Sequence, residues 1–181
     1  FGLLFGLMRF TSGGSTGSIQ LPSHSAPRVT TPSHSQPAAT TPSTSHSNAQ
    51  LAPNFNLARL DGGNIQLADY IGEKPVVLEF WASWCHNCQR SMPKLNKMYE
   101  KYGDEVEIIG VNMRESTSTA ERFVTTKNID FPIAMDSGTV AQQYNIRYTN
   151  THFLINKQGE IVKIVPGDLS ESDLLSLIQT S

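Results

Sequence analysis

The stretch FWASWCHNCQRSMP, residues 80–93, contains both cysteines of this 181-residue chain, Cys85 and Cys88. A continuous apolar run, residues 76–78, precedes the stretch, and a segment with helical periodicity, residues 92–102, follows it. Residues i and i+3 share one face of a helix, so cysteines at this spacing can bring their sulfurs within disulfide reach. A Cys-x-x-Cys at a strand-to-helix junction therefore predicts a redox pair.

The two cysteines are expected to differ in reactivity. Cys85 would occupy the N-terminus of the helix, where unpaired backbone N–H groups and the helix dipole favour a thiolate. Thiols in such a position have pKa values of roughly 3.5–7.5, compared with about 8.5 for a free cysteine. We therefore assign Cys85 as the nucleophile that attacks a partner disulfide. Cys88, one turn further along and more shielded, would resolve the mixed disulfide.

Two other interpretations of the pair are weaker. A structural zinc site needs four ligands, and beyond the two cysteines the neighbouring sequence offers only His86. A bridge that closes so short a loop removes little chain entropy, so a purely structural disulfide would stabilise the fold little. The sequence favours redox chemistry at Cys85 and Cys88 without a metal ion.

Charge and hydropathy divide the chain unevenly. Hydrophobic residues make up 38% of the chain, which is low for a fully packed protein. Residues 1–50 contain two basic residues, Arg9 and Arg28, and no acidic one, which leaves 12 basic and 16 acidic residues in the remainder. This composition argues against nucleic-acid binding, which requires a basic face.

The first fifty residues do not resemble a folded domain. Residues 1–10 begin with the apolar run FGLLFGLM, and a helix that spans a bilayer takes about 20 residues. We interpret residues 1–10 as the remnant of a signal peptide or membrane anchor. Residues 11–50 are mainly Ser, Thr, Pro, Gly, Ala and His, a composition that favours a disordered linker. Residues 51–181 would then form one domain.

The sequence VVLEFWASWCHNC, residues 76–88, resembles the active-site strand and helix of the thioredoxin superfamily. The wider stretch, from APNFNL at residue 52 to the end, resembles the TlpA/ResA-like branch of that superfamily. The resemblance implies an α/β thioredoxin-like fold, with a central mixed β-sheet flanked by helices and an N-terminal β-hairpin extension. It also implies an extracytoplasmic, membrane-tethered thiol–disulfide oxidoreductase. Such an enzyme acts on protein disulfides or dithiols, takes electrons from a membrane donor and needs no cofactor besides its own disulfide. We expect it to be a monomer.

The order of elements agrees with such a fold. Apolar alternation and turn residues predict a hairpin around residues 61–64, a short helix over residues 68–71 and a central strand over residues 75–81. Strands and helices then alternate, which implies a parallel core. The later elements are expected at residues 106–113, 116–128, 131–135, 136–144, 161–165 and from Ser170 onward.

Glu79 interrupts the apolar strand six residues before Cys85. In the strand it should point beneath the sulfur pair, and a carboxyl in an apolar wall has a raised pKa. The resemblance implies that Glu79 is the proton acceptor for Cys88, because thioredoxins carry a buried acid at the matching position. The alternative is a solvated glutamate at an edge.

Three residues around the pair are candidates for substrate binding. Trp84 offers a flat apolar surface to a partner polypeptide. His86 and Asn87 form the dipeptide between the cysteines, which tunes the redox potential. A histidine cation there would favour the thiolate and make the pair more oxidising. The alternative is that His86 is a mere spacer.

The chain departs from the resembled family at two positions. Where the family has a cis-proline that faces the cysteines, this chain has Asn150, after Thr149. The resemblance implies that Thr149 and Asn150 form the backbone edge that binds substrate. Because a cis bond before a non-proline residue costs about 2.5–4 kcal/mol, we expect the Thr149–Asn150 bond to be trans or strained and the substrate-binding edge to be altered. Cytochrome-maturation reductases of the branch often carry a glutamate where this chain has Ser91, which weakens the expectation of a role in cytochrome c maturation.

Several functions therefore compete. The first is a reductase of protein disulfides, and an oxidase or isomerase is its nearest alternative. A copper carrier that uses Cys85, Cys88 and His86 is a second, although copper chaperones of this fold usually space their cysteines differently. A peroxidase is a third, because APNF at residues 52–55 is shared with peroxiredoxins, but their Pro-Thr-Cys setting is absent here.

Overall fold

A computed structural model describes residues 13–14, 17–18 and 50–181. The anchor remnant predicted for residues 1–10 lies outside the described residues, as does most of the linker predicted for residues 11–50. Within the described ranges, no helix combines the length and the apolar character needed to cross a bilayer.

A seven-stranded mixed sheet forms the centre of the domain. Its strands lie in the order β2-β1-β5-β4-β3-β6-β7. Strands β3, β4 and β5 are parallel to one another, whereas β6, β7, β1 and β2 pair antiparallel with their neighbours. The strand bounds are β1 Asn56–Arg59, β2 Asn64–Gln66, β3 Val76–Trp81, β4 Glu107–Met113, β5 Ile133–Asp136, β6 Thr151–Ile155 and β7 Ile161–Pro166.

Four α-helices cover the sheet, and their ends follow the capping residues of the sequence. Ser116 accepts a hydrogen bond from the Thr119 backbone at the start of the second helix, and Ser170 forms a capping box with Asp173 at the start of the last. Asn128 ends the second helix in the left-handed conformation, with φ of 50°. The helix bounds are α1 His86–Tyr102, α2 Thr117–Lys127, α3 Thr139–Gln143 and α4 Glu171–Thr180.

The two faces of β3 contribute to two separate apolar clusters, and every residue of this strand is buried. Val77 and Trp81 pack in the cluster that contains the cysteines and the buried residues of α1, α2 and α4. Leu78 and Phe80 point to the other face, towards α3 and the N-terminal hairpin. Burial on both faces explains why this strand reads as a continuous apolar run.

The structure corrects the sequence-based description at two places. The helix expected over residues 68–71 is a single 3-10 turn, Leu67–Asp69, because Gly72 follows within one turn and adopts a φ of 88°. The strand expected to be central, β3, lies beside the middle strand, which is β4. The hairpin β1–β2 joins the sheet next to β5. These two added strands make β4, instead of β3, the middle strand of the seven.

Candidate active site

A disulfide joins Cys85 and Cys88 at the start of α1, with 5.3 Å between their Cα atoms. Cys85 is the N-cap residue, and its sulfur accepts a hydrogen bond from the Cys88 backbone N–H at 3.1 Å. The exposed fraction is 7% for Cys85 and 0% for Cys88. The first sulfur is therefore the one that a partner can reach, and the helix N-terminus is aimed at it.

The loop that delivers Cys85 is fixed by Glu115, a residue that the sequence did not single out. Its carboxylate accepts hydrogen bonds from the Ser83 backbone N–H at 2.7 Å and from the Ser83 hydroxyl at 2.5 Å. Asn112 donates a further bond to it at 2.8 Å. On the other side of the loop, the Gln89 amide donates to the Ser83 carbonyl at 2.8 Å. These bonds hold the turn before Cys85 from both β4 and α1.

Glu79 lies in β3 and is completely buried, so the alternative of a solvated glutamate is wrong. Val77, Glu79 and Trp81 occupy every second position of β3, so their side chains point to the same face of the sheet. Val77 and Trp81 share an apolar cluster with both cysteines, so Glu79 is on the cysteine side of the sheet. Its Oε2 atom lies 2.7 Å from Nε2 of His152, the residue opposite it on β6. Its other oxygen, Oε1, is buried without a hydrogen-bond partner among the described residues.

His152 is the second buried ionisable group on this face, and the sequence reasoning missed it. It is 1% exposed, and its Nδ1 lies 3.4 Å from the carbonyl of Val165. Because a carbonyl only accepts hydrogen bonds, this contact assigns the hydrogen to Nδ1, and Nε2 faces Glu79 Oε2. His152 and Leu154 are two residues apart on β6 and so share a face, and Leu154 belongs to the apolar cluster that contains the cysteines. This pattern was the signal that could have placed His152 on the same face as Glu79.

Burial raises the pKa of the Glu79 carboxyl above its usual range, and the favourable interaction with His152 offsets this only in part. Burial opposes the charged form of His152, but the adjacent carboxylate and its hydrogen bond hold the pKa of that imidazole above its usual value. Because the two groups lie so close together, Glu79 and His152 titrate as a coupled pair.

Three of the residues predicted for substrate binding are exposed, whereas Asn150 is buried. Trp84 is 69% exposed, and His86 and Asn87 are exposed as well. Arg90 donates a hydrogen bond to the Asn87 side chain at 3.1 Å. In residues 50–181, no three His, Cys, Asp or Glu side chains are grouped so that they could hold a metal ion.

Asn150 takes up a special backbone conformation next to the cysteine helix. Its peptide bond to Thr149 is trans, as are the other described peptide bonds, and its φ is 60°, so the expectation of a trans or strained bond is confirmed. Asparagine tolerates this left-handed region better than most residues. Its N–H donates to the Phe80 carbonyl at 2.8 Å, and its carbonyl accepts from Gly167 at 2.8 Å. Thr149 and Asn150 were predicted to offer a backbone edge to substrate. Of the two, only Thr149 has a backbone N–H and carbonyl without backbone hydrogen-bond partners in residues 50–181.

The side chain of Asn150 reaches the second position at which the chain departs from the resembled family. The Ser91 hydroxyl donates to Asn150 Oδ1 at 2.6 Å, and both residues are buried, with exposed fractions of 4% and 2%. The Asn150 side chain thus joins the loop before β6 to α1, one turn after Cys88.

Restoring a proline at this position is expected to destabilise the protein. Asn150→Pro would impose a φ near −65°, against the observed 60°, and would remove the N–H that bonds to Phe80. We expect a loss of about 3 kcal/mol in the free energy of unfolding, measured with denaturant. Asn150→Gly, the control, permits the backbone conformation and loses only the bond to Ser91, so it should cost about 1 kcal/mol. A proline variant as stable as the parent would contradict the observed conformation.

Comparison with known proteins extends this description. A model of the AhpC/TSA family matches residues 49–164. The thiol-disulfide oxidoreductase ResA of Halalkalibacterium halodurans is 43% identical over 122 residues, which cover 66% of this chain and 69% of that protein. The ResA protein of Bacillus subtilis is 36% identical over 140 residues, which cover 75% of this chain and 78% of that protein.

Solved structures give the same fold. StoA from Bacillus subtilis superposes with a TM-score of 0.61 at 27% identity, over 70% of this chain and 97% of that one. A DsbE-type thiol:disulfide interchange protein from Chlorobium tepidum superposes with a TM-score of 0.67 at 30% identity, over 72% of this chain and 96% of that one. The predicted thioredoxin-like fold with a mixed sheet is confirmed.

Proposed function

Because the chain belongs to the AhpC/TSA family and is a thiol–disulfide oxidoreductase of the ResA type, we propose that it reduces disulfides of client proteins outside the cytoplasmic membrane, with Cys85 and Cys88 as its redox pair. One observation carries the proposal: Cys85 is the accessible N-cap of α1, while Cys88 is sealed beneath it. This asymmetry provides one attacking sulfur and one resolving sulfur.

The proposed reaction has two steps. In the reduced protein, the Cys85 thiolate attacks a sulfur of the client disulfide. A bond forms between Cys85 and the client, and the second client sulfur leaves as a thiolate that takes up a proton. Cys88 then loses its proton and attacks Cys85, which releases the first client sulfur as a thiolate that also takes up a proton. This step closes the disulfide seen in this structure. The client gains two electrons and two protons, and a membrane electron donor would restore the dithiol.

Glu79 supports the second step. Cys88 has no exposed surface, so its proton cannot pass directly to solvent, and the nearest acceptor must belong to the protein. Glu79 faces the cysteine side of the sheet, and its Oε1 has no other hydrogen-bond partner in the described part of the chain. Burial raises the pKa of this carboxyl, which makes its ionised form a stronger base towards the Cys88 thiol. We therefore assign Glu79 as the proton acceptor for Cys88.

Glu79→Gln is expected to slow resolution of the mixed disulfide by about a hundredfold, the lower range for general base catalysis. Attack by Cys85 on a small disulfide should change much less, since the glutamine keeps the shape of the side chain. Stopped-flow measurement of the two phases separates these steps. An equal slowing of both phases would show that Glu79 acts through the fold and not through the proton of Cys88.

The direction of exchange is tested by the redox potential. A value near −270 mV fits the proposed reductase, whereas a value near −120 mV fits an oxidase. Equilibration of the protein with glutathione or dithiothreitol buffers, followed by thiol alkylation, gives this potential. The reduced protein should also reduce insulin. If it does not exchange with insulin or with any small disulfide, the proposed function is wrong.

The location and the clients belong to the same proposal. Residues 1–10 and 11–50 have the composition of an anchor remnant and a spacer, which supports tethering outside the membrane. Recovery of the protein in the soluble cytoplasmic fraction of cells would count against this location.

An apocytochrome c is one candidate client, although Ser91 stands where cytochrome-maturation reductases often have glutamate. A Cys88→Ser variant would capture the true client as a mixed disulfide with Cys85.

A further inference from the structure

A cleft of about 450 Å³ opens beside the reactive cysteine. One wall is Trp84, the residue immediately before Cys85, and the opposite wall comes from the end of β4 and from α3 with the loop that follows it. Met113, Ala141 and Ile146 are aliphatic residues of the lining. A client bound to Cys85 would therefore place neighbouring residues of its chain in or next to this cleft.

The polar part of the lining is positively charged. Arg114 and Arg147 both line the cleft, and no acidic side chain does. Neither arginine makes a salt bridge or a side-chain hydrogen bond with any residue in 50–181. The same part of the chain holds more acidic than basic residues, so the cleft is positive within a body of net negative charge. A local reversal of this kind attracts negatively charged ligands.

Arg114 is held in place by its backbone and by a glycine. Its φ is 58°, a left-handed conformation that is rare for an arginine, and its N–H donates to the Asp136 carbonyl at 2.8 Å. A Cβ atom on Gly138 would clash with Nε of Arg114, so the guanidinium lies directly against the Cα of this glycine. A non-glycine residue in this conformation persists only where the surrounding structure holds it, and such residues cluster at functional sites.

One exposed aromatic residue lines the cleft with the two arginines, and another follows Arg147 in the chain. Trp84 is 69% exposed, and Tyr148, which follows Arg147 in the chain, is 77% exposed. Large aromatic side chains are costly to leave in water and are enriched, together with arginine, at the centres of protein interfaces. The guanidinium fork also matches a carboxylate in a bidentate geometry, which a lysine cannot reproduce.

From this arrangement we propose that the cleft between Trp84, Arg114 and Arg147 binds an acidic segment of the client polypeptide, next to the client cysteine that reacts with Cys85. The proposal rests on the proposed function and adds a class of client to it. Carboxylates of the client pair with the two arginines, while an apolar residue beside them contacts Trp84. Clients with glutamate or aspartate near the cystine are thereby favoured over neutral or basic ones.

The test uses the reduced protein and three disulfide-bridged peptides that differ only at the residues flanking the cystine, which are glutamate, glutamine or lysine. Second-order rate constants are measured at low ionic strength and again at about 0.5 M salt, where charges are screened beyond a few ångströms. We expect the acidic peptide to react about tenfold faster than the neutral one, with the lysine peptide slowest. The advantage of the acidic peptide should shrink in high salt.

Two double variants complete the test. Arg114→Gln with Arg147→Gln should bring the ratio of acidic to neutral rate constants close to one. Lys97→Gln with Lys157→Gln removes the same charge from side chains outside the cleft and should preserve the ratio. Equal reaction of all three peptides, or an equal effect of both double variants, would overturn the proposal while leaving disulfide exchange intact. If none of the peptides reacts, and the uncharged 2-hydroxyethyl disulfide does not react either, the proposed function itself is wrong.

Discussion

Cys85→Ser is expected to abolish disulfide exchange, with the rate of insulin reduction falling on the order of a thousandfold or more. The nucleophile is a thiolate, and a serine hydroxyl at the same N-cap would not ionise near neutral pH even with the helix dipole aimed at it. Cys88 keeps its thiol in this variant but has no exposed surface, so it cannot replace the missing nucleophile. The measurement is turnover with a regenerating small thiol, at equal protein concentrations.

Cys88→Ser is the matched control, because it also leaves a single thiol. It should still attack a disulfide, but the mixed disulfide should accumulate, since no second sulfur is in place to release it. Mass spectrometry of the non-reduced protein would locate the adduct on Cys85. Both variants should be compared with the reduced parent by circular dichroism, because each lacks the disulfide. If the two variants form mixed disulfides equally fast, the assignment of distinct roles is wrong.

Replacement of one partner of the Glu79–His152 pair is expected to destabilise the oxidised protein by about 3 kcal/mol, the range for a buried pair that loses one member. Both side chains are almost completely inaccessible, and the distance between Glu79 Oε2 and His152 Nε2 is 2.7 Å. Glu79→Leu and His152→Leu each leave the other polar group in an apolar wall. The double variant removes both groups, so its loss should be clearly smaller than the sum of the single losses.

Denaturant unfolding of the four proteins gives the coupling between the two sites. The exposed pair Lys163–Asp173, 2.6 Å apart, is the control, and its coupling should be far smaller because solvent screens it. Strictly additive losses at residues 79 and 152 would show that the two side chains do not interact energetically.

The same pair predicts how stability depends on pH. Because the pKa of His152 is raised in the folded protein, its stabilisation is complete below the unfolded value of about 6.5 and is lost as pH rises through the folded value. The stability of the oxidised parent should therefore decline above pH 6.5 relative to the Glu79→Leu, His152→Leu double variant. Asp168 also faces the pair, but Lys94 keeps its pKa below the usual range, so it stays ionised throughout. The disulfide removes the cysteines from the titration, and a constant difference between pH 6 and 9 would contradict the prediction.

The sequence predicted those features that depend on neighbouring residues. The apolar run before Cys85 and the spacing of the cysteines each act locally, and the structure has the corresponding buried strand and the start of α1. The trans bond before Asn150 also followed from a local rule, since a non-proline residue avoids a cis bond, whereas its positive φ was not predicted.

Contacts between distant residues could not be predicted in this way. His152 reaches Glu79 only because β6 pairs with β3 in a register that the sequence does not state. Glu115 lies 32 residues from Ser83, and its role depends on where β4 ends relative to the active-site loop. The arginines of the cleft come from two loops that meet only in the folded chain. The sequence pattern of one segment does not indicate such distant partners.

The bond between Ser91 and Asn150 has a consequence for how this protein can change. The Ser91 hydroxyl and the Asn150 side-chain oxygen form a buried hydrogen bond with each other. Replacing one residue therefore leaves a buried polar atom of the other without this hydrogen-bond partner. A mutational route towards the glutamate and proline of the resembled family therefore has to cross a less stable intermediate unless both codons change together. Libraries that vary only one of these positions would sample mainly unfavourable sequences.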